Sequence, residues 1–445
     1  MSLSVQAAGS FQVSPLMGGV FEGPSVASPM GIYWNPAAIG LLKGTHVYGA
    51  LDLFFLRGTY DRDGFDPNTG GGYDTATWSG FGPLPKAAVT SDFGTDRWVG
   101  GIGLYVPFGG SIDYGDDDLF GAQRYHIIDA ELAAIHVTPT VAVKVFPHFY
   151  VGAGISWVHT QFQSSVDVDL AAALSNVGIS PDAAGAGLED PLVEAAVQTG
   201  MLRDNSVGWE LGVLWEALPE LDLGLSYRSE VEVSLSGGAD VAFPLFPPEL
   251  GPLLSLGPVA PGSQVSTDVS FQFRWPQSVQ LGATYRFWPR WTGIAILQWT
   301  NWSRFGRFES EVLTPPLSES SLDLSRARGL NDTVLLSLAV HHQWFDGFKI
   351  GGRFAYESPA VPTEFVNPQN YDSHTFELGL GAEYRLMKNL SLSLNYAHLF
   401  FAARNVTGSV FDPADPTREG YNYASGDGTY EASADKLELA LEVHF

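Results

Sequence analysis

Short and long gaps alternate along this chain, and that sorting restricts the fold more than any single motif. Segments alternating between apolar and polar residues occur near 45–56, 84–92, 98–108, 130–145, 149–164, 206–217, 221–235, 269–287, 291–302, 333–343, 348–357, 374–386, 390–401 and 436–445. A period of two is the signature of a strand with two different faces. Brief links such as FPH (146–148), WPR (288–290), FDG (345–347) and MKN (387–389) take turns with long ones near 57–83, 109–129, 165–205, 236–268, 303–332, 358–373 and 402–435. Fourteen antiparallel strands joined in this way put every long loop at one end of the sheet, the pattern of an outer-membrane β-barrel. The even count leaves both termini on one side, expected to be periplasmic, with the long loops extracellular. A soluble sandwich also alternates, but its connections have no reason to sort by length.

The faces fit the same reading. In KLELALEVHF, Leu437, Leu439, Leu441, Val443 and Phe445 share one face, expected toward lipid, while Lys436, Glu438, Ala440, Glu442 and His444 face a polar lumen. TFELGLGAEYRL repeats the pattern, with Glu377, Glu383 and Arg385 inward. The aromatic pairs Trp288/Trp291, Trp299/Trp302 and Trp344/Phe345 fall at strand ends, where amphipathic rings form interfacial girdles.

Composition removes other classes. The 445 residues carry 23 Lys or Arg against 49 Asp or Glu, a net charge of −26, with no basic cluster to contact phosphates, so no nucleic-acid partner is expected. The absence of cysteine excludes disulfides, thiolate metal sites and thiol catalysis. No apolar run reaches the roughly 18–20 residues of a spanning helix, so a membrane protein of this sequence must be a barrel. No charged start and apolar core of a signal peptide is present; such a segment is expected to have been removed, with SVQA (4–7) a remnant of its cleavage site. No GxSxG, HExxH or histidine cluster stands out, and adjacent His341 and His342 face opposite sides of a strand, so neither enzyme chemistry, cofactor nor metal is expected. The acidic run Asp113, Asp116, Asp117 and Asp118 is read as a solvated loop, with a divalent cation or a bridge to lipopolysaccharide as the alternative.

Before the first strand lies GIYWNPAAIGLLKG (31–44), rich in turn formers. Pro36 restricts Asn35 to extended backbone, and the Asn35 amide can bond neighbouring main chain. Four stretches, YWNPAAIGLLKGT, LDLGLSYRSEVEVSLSG (221–237), PQSVQLGATYRFWPRWTGIAILQWTNWSRF (276–305) and NLSLSLNYAHLFF (389–401), resemble the FadL family of outer-membrane transporters for long-chain fatty acids and other hydrophobic compounds. The resemblance implies an all-β, fourteen-stranded antiparallel transmembrane barrel (45–445) whose lumen is closed by an N-terminal hatch (1–44), with Asn35, Pro36 and Ala37 at its gate. It further implies passive uptake of a long-chain fatty acid or hydrocarbon, captured by apolar loops, passed to a lumen pocket, and released by hatch movement or a lateral opening. Outer-membrane lipid, lipopolysaccharide and the barrel assembly machinery are the expected partners of a monomer. A lipase-like barrel enzyme and a general porin are the alternatives.

Candidate residues follow. In the third long loop, Leu170, Leu174 and Val177, with Leu192, Val193 and Val197, make helix-compatible apolar stripes. The fourth loop adds Phe243, Leu245, Phe246, Leu250, Leu253 and Leu254; the resemblance implies that the two loops form an outer hydrophobic groove, with loops packed only on each other as the alternative. Gly100, Gly101 and Gly103 mark a bulge or close backbone approach in the third strand; the resemblance implies a kink there that gives the lateral opening, with close packing against the hatch as the alternative. Arg228, Arg286, Arg353 and Arg385 alternate inward as candidate partners for a carboxylate, each with the competing fate of pairing with a wall acid. Phe445 resembles the terminal aromatic read during barrel assembly.

Overall fold

The computed structural model describes residues 19–115, 121–172, 188–245, 259–305, 309–313, 329–411 and 424–445. One sheet dominates them, and every pairing in it is antiparallel. Its first strands are β1 (Thr45–Arg62), β2 (Ala76–Ser91), β3 (Trp98–Asp113), β4 (Asp129–Phe146) and β5 (Phe149–Asp169). Next come β6 (Glu194–Thr199), β7 (Leu202–Leu218), β8 (Leu221–Arg228), β9 (Val231–Ala242), β10 (Gln264–Trp275) and β11 (Ser278–Trp288). The last are β12 (Trp291–Thr300), β13 (Glu309–Val312), β14 (Thr333–Phe345), β15 (Phe348–Glu357), β16 (Thr375–Met387), β17 (Leu390–Phe401), β18 (Arg404–Val406) and β19 (Gly428–His444). β1 pairs with β2 on one side and β19 on the other, His46 facing both Thr90 and His444, so the sheet closes into a barrel without edges.

The wall holds sixteen strands, with β6, β13 and β18 outside it, which corrects the expected fourteen. Two segments expected to be continuous, 221–235 and 269–287, are each divided. Ser229 and Glu230 interrupt the first: the Ser229 hydroxyl accepts from Trp209 N–H at 3.0 Å, a ladder position taken by a side chain. Pro276, which has no N–H to offer a neighbour, stands with Gln277 between β10 and β11. The segment expected to run to residue 302 also stops short. β12 ends at Thr300, and a 3-10 turn (Trp302–Arg304) swings Trp302 into the interior, where it is fully buried rather than part of a girdle.

Elsewhere the two faces separate as alternation requires. In β19, Leu437, Leu439 and Leu441 are exposed while Lys436, Glu438 and Ala440 are buried. In β16, Leu378 and Leu380 are exposed and Glu377 is buried. Arg385 keeps the parity of Glu377 but is exposed, beside the β16–β17 turn.

The chain from Gly19 to Leu42 lies inside the ring. It contains a single helical turn, Gly31–Trp34, and a 3-10 helix, Pro36–Leu41, almost wholly buried. Asn35 joins them at φ −164°, ψ 108°, the extended backbone that a following proline enforces. Its Nδ2 donates to Pro24 O at 2.7 Å and to Val213 O of β7 at 3.0 Å, and its Oδ1 accepts from Ala37 N–H at 3.0 Å. The wall is cut away to admit this backbone. A Cβ on Gly212 would lie 1.9 Å from Asn35 Oδ1, and one on Gly224 would lie 2.1 Å from Pro24 O.

Candidate functional site

A polar belt rings the interior at about mid-height and holds the N-terminal segment. Lys86 of β2 lies 3.0 Å from Asp52 of β1 and also pairs with Glu438 of β19, while Lys436 lies 3.4 Å from Asp52. Asn395 Nδ2 donates to Glu438 at 2.8 Å, and its Oδ1 accepts from Val20 N–H at 3.1 Å. Arg353 lies 3.4 Å from Glu377 and gives Nη1 to Gly19 O at 3.0 Å. Across the barrel, Arg228 pairs with Glu210 at 3.0 Å, donates to Tyr33 O at 2.7 Å and covers the Tyr33 ring at 4.4 Å. The Ser226 hydroxyl donates to Trp34 O at 2.7 Å, and Ser25 and Thr284 share a hydrogen bond of 2.8 Å. Charges thus cancel within the wall, and the spare donors and acceptors secure the segment; a buried charge is tolerable only when so paired.

On the long-loop side of the belt the interior changes character. Leu56 and Tyr60 of β1, Phe108 of β3, Phe162 of β5 and Leu235 of β9 are all buried there. Phe271 and Trp275 of β10, Trp302, and Leu399 of β17 are buried with them. Phe108 stacks on Trp275 with centroids 4.7 Å apart, and Trp302 meets Phe108 edge-on at 6.0 Å. The expected polar lumen therefore holds at the belt and fails above it, where inward positions carry rings and branched side chains. Ion pairs close the loop end: Arg62 with Glu189 at 2.6 Å and Arg124 with Glu194 at 2.8 Å join the first three long connections.

The wall has a break beside this apolar region. β2 and β3 pair from Ala87 with Leu104 to Ser91 with Gly100, and again at Ser79 with Asp113, but no ladder pair joins residues 80–86 to residues 105–112. The covalent reason is plain. β2 keeps a continuous ladder with β1 through Pro83 and Pro85, so the two nitrogens that cannot donate face β3. On the other strand, Pro107 lies in a bulge between Tyr105 and Phe108.

A family model described as "Outer membrane protein transport protein (OMPP1/FadL/TodX)" matches residues 18–445. The chain belongs to this family. It is therefore an outer-membrane β-barrel of a transport family and not an enzyme. A long-chain fatty acid transport protein of Salmonella typhi is 21% identical over 192 residues, a match covering 43% of this chain and 42% of that relative, so the chain aligns with less than half its length. Among solved structures, a Pseudomonas aeruginosa FadL homologue superposes with a TM-score of 0.79 at 18% identity, covering 100% of both chains. The P. putida toluene transporter TodX gives 0.70 at 16%, over 100% of this chain and 99% of that one. At these identities the two structures speak to the fold alone.

Within this family member, Asn35, Pro36 and Ala37 meet at the joint between the two short helices, all buried. Gly100, Gly101 and Gly103 lie just below the break in the ladder and are themselves paired with β2. Gly101 and Gly103 back onto Ile32 of the N-terminal segment, where a Cβ on Gly103 would lie 2.9 Å from Ile32 Cγ2. Among the described residues, the loop positions are divided between buried and exposed. Leu170, Val193, Val197 and Phe243 are buried, whereas Leu192 and Leu245 are exposed; Leu174, Val177, Phe246, Leu250, Leu253 and Leu254 lie outside the described residues, as do Asp116, Asp117 and Asp118. The stripe through Val197 is not helical, because Glu194–Thr199 pairs with β5 and β9 as strand β6. Of the four arginines, Arg228 and Arg353 reach the interior already paired, Arg286 is half-exposed and pairs with Asp222, and Arg385 is exposed beside the β16–β17 turn. Phe445 closes the β1–β19 seam, its N–H donating to Thr45 O at 2.8 Å.

Three features escaped the reading of residues. The Pro-x-Pro of PLPK (83–86) was legible as a donorless strand stretch. Asp52 and Lys86 each carried the signal of a single charge at inward parity in an otherwise uncharged run. Trp302 gave none, since its inward turn depends on where β12 stops.

Proposed function

We propose that this chain is a passive channel for hydrophobic compounds, in which the ligand enters from the long-loop end, occupies the apolar interior above the belt and leaves sideways between β2 and β3. The observation that carries the reading is the coincidence of an apolar, aromatic-lined interior with a donorless break in the adjacent wall. Ligand burial there gains about 25 cal/mol per Å² of apolar surface, with no energy source required. The segment up to residue 44 acts as a hatch beneath the site, consistent with its bonds to opposite sides of the ring, and leaves the lower passage shut during lateral release. Exposed Leu192 and Leu245 suit first contact with a greasy ligand at the loop end. The long loops face outward, the termini lie in the periplasm, and lipopolysaccharide and the assembly machinery are met as for other barrels. The names of the relatives, which include fatty-acid and toluene transporters, agree with hydrophobic cargo.

A general porin is disfavoured because its conducting lumen needs polar lining throughout. The test is uptake of radiolabelled hexadecanoate and of labelled alkylbenzenes by cells with and without the gene. Faster uptake of at least one class with the gene is expected; equal uptake of every compound overturns the reading.

A further inference from the structure

The interior is poorly equipped to receive an anion. Six Lys or Arg side chains are buried among the described residues, namely Arg62, Lys86, Arg124, Arg228, Arg353 and Lys436. Each lies within 3.4 Å of a carboxylate. Twelve Asp or Glu side chains are buried with them, so the buried acids outnumber the bases two to one. Residues 1–18, which precede the N-terminal segment, contain no Lys or Arg. A ligand carboxylate entering this space would be desolvated beside cations already neutralised and near additional acids, an unfavourable exchange.

Neutral hydrogen-bonding groups, by contrast, are waiting. Nε1 of Trp302 and both ring nitrogens of His136 are buried with no hydrogen-bond partner among the described residues. Both rings flank Phe108, His136 at 6.5 Å and Trp302 at 6.0 Å between centroids, next to the β3 bulge and the break in the wall. Tyr105 stacks on His136 at 5.4 Å but spends its own hydroxyl on Glu210 and Thr138, so it does not serve the imidazole. Buried polar atoms left unpaired in a folded chain mark a place for a missing partner.

Building on the transport reading above, we infer that the cargo is an uncharged hydrophobic compound bearing a hydrogen-bond acceptor, such as a ketone, ester or ether, rather than a carboxylate. Its apolar body packs against Phe108 and Trp275, and its acceptor takes the Trp302 N–H or the protonated nitrogen of neutral His136. Supplying one such bond in a water-poor site is worth about a factor of ten in affinity.

The test uses shape-matched pairs at neutral pH: hexadecanoate against its methyl ketone, and para-propylbenzoate against para-propylacetophenone. Binding to the purified full-length protein is measured by equilibrium dialysis, with protein-free detergent as the blank. The ketone is expected to bind at least about tenfold more tightly in each pair that binds. Trp302→Phe, which keeps the ring and removes the N–H, together with His136→Phe, should erase most of that preference. A carboxylate that binds as well as its ketone, a preference below tenfold, or one untouched in the double variant overturns the inference while leaving the transport reading standing. Binding of neither member of either pair overturns the transport reading as well.

Discussion

The Asn35 side chain donates to the main-chain oxygen of Val213 across a separation of 178 residues, and the wall glycine beside it, Gly212, has no room for a Cβ. Asn35→Ala would leave Pro24 O, Val213 O and Ala37 N–H without that partner in a dry interior, at a cost of about 2–5 kcal/mol to the seating of the N-terminal segment. Gly212→Ala should loosen the same joint by collision. Planar-bilayer recordings should show more frequent opening events for both variants than for the parent, with heat-modifiable gel mobility unchanged. Quiet recordings from both would show that the segment does not depend on this joint.

Glu438 holds the other side of that segment indirectly. It pairs with Lys86 and positions Asn395, which grips Val20. Glu438→Ala leaves two buried lysines sharing Asp52, and stability should fall by about 3–5 kcal/mol, read as a lower midpoint in denaturant. The added substitution Lys86→Met should restore part of the loss by removing the excess charge. A double variant no more stable than the single one would show that the pairing is not the reason.

How much of this was visible in advance varied with how local the cause was. The inward positions of Glu377, Lys436 and Glu438 follow from alternation, because a one-residue slip would put three charges into lipid. Arg385 obeys the same parity yet is exposed beside the turn, since parity carries no information about where the enclosed space ends. The breaks at Ser229 and Pro276 convert two expected strands into four. Pro276 was readable, but Ser229 acts only through Trp209 on a neighbouring strand. The apolar upper interior was hidden for a different reason: from Val231 to Leu235 the alternation is inverted, with Val231, Val233 and Leu235 buried and Glu232 and Ser234 exposed, so a rule that sends the apolar face to lipid assigns these side chains to the wrong side. The ion pairs of Arg228 and Arg353 join separate strands and depend on register that no single segment reveals.

The link between β15 and β16 carries a pH-dependent clasp. Burial pushes Asp372 up to about 6 from an ordinary 3.8, against the pull of the Ala360 and Val361 N–H groups that it accepts. The folded carboxyl holds its proton more tightly than the unfolded one, so this contribution is fully present below about pH 4 and is lost, by at most about 3 kcal/mol, as pH rises through about 6. Amide exchange at Ala360 and Val361, corrected for intrinsic rates, should therefore accelerate between pH 4 and pH 7. Asp372→Asn should remove that dependence, and an unchanged profile in the variant would assign it elsewhere.

Phe445 and Thr45 exchange both main-chain hydrogen bonds at the seam, N–H to O at 2.8 and 3.2 Å, while the Phe445 ring is exposed. The ring therefore contributes little to the folded wall, and its expected use is during assembly. Phe445→Ala should reduce the amount in outer-membrane fractions several-fold without lowering the unfolding midpoint of the protein that does insert. Equal membrane levels would remove the assembly role.

Lateral exit makes the donorless stretch of β2 the decisive element. Pro83→Val with Pro85→Val returns two N–H groups to the side facing β3, allowing the ladder to close across residues 80–86 and 105–112. Initial uptake of a labelled hydrophobic ligand should be measured in cells carrying the parent, this double variant or empty vector, at matched amounts of folded barrel. The account predicts that the double variant falls several-fold, toward the vector rate. Uptake equal to the parent's, with the new β2–β3 hydrogen bonds demonstrated by amide exchange, would contradict it.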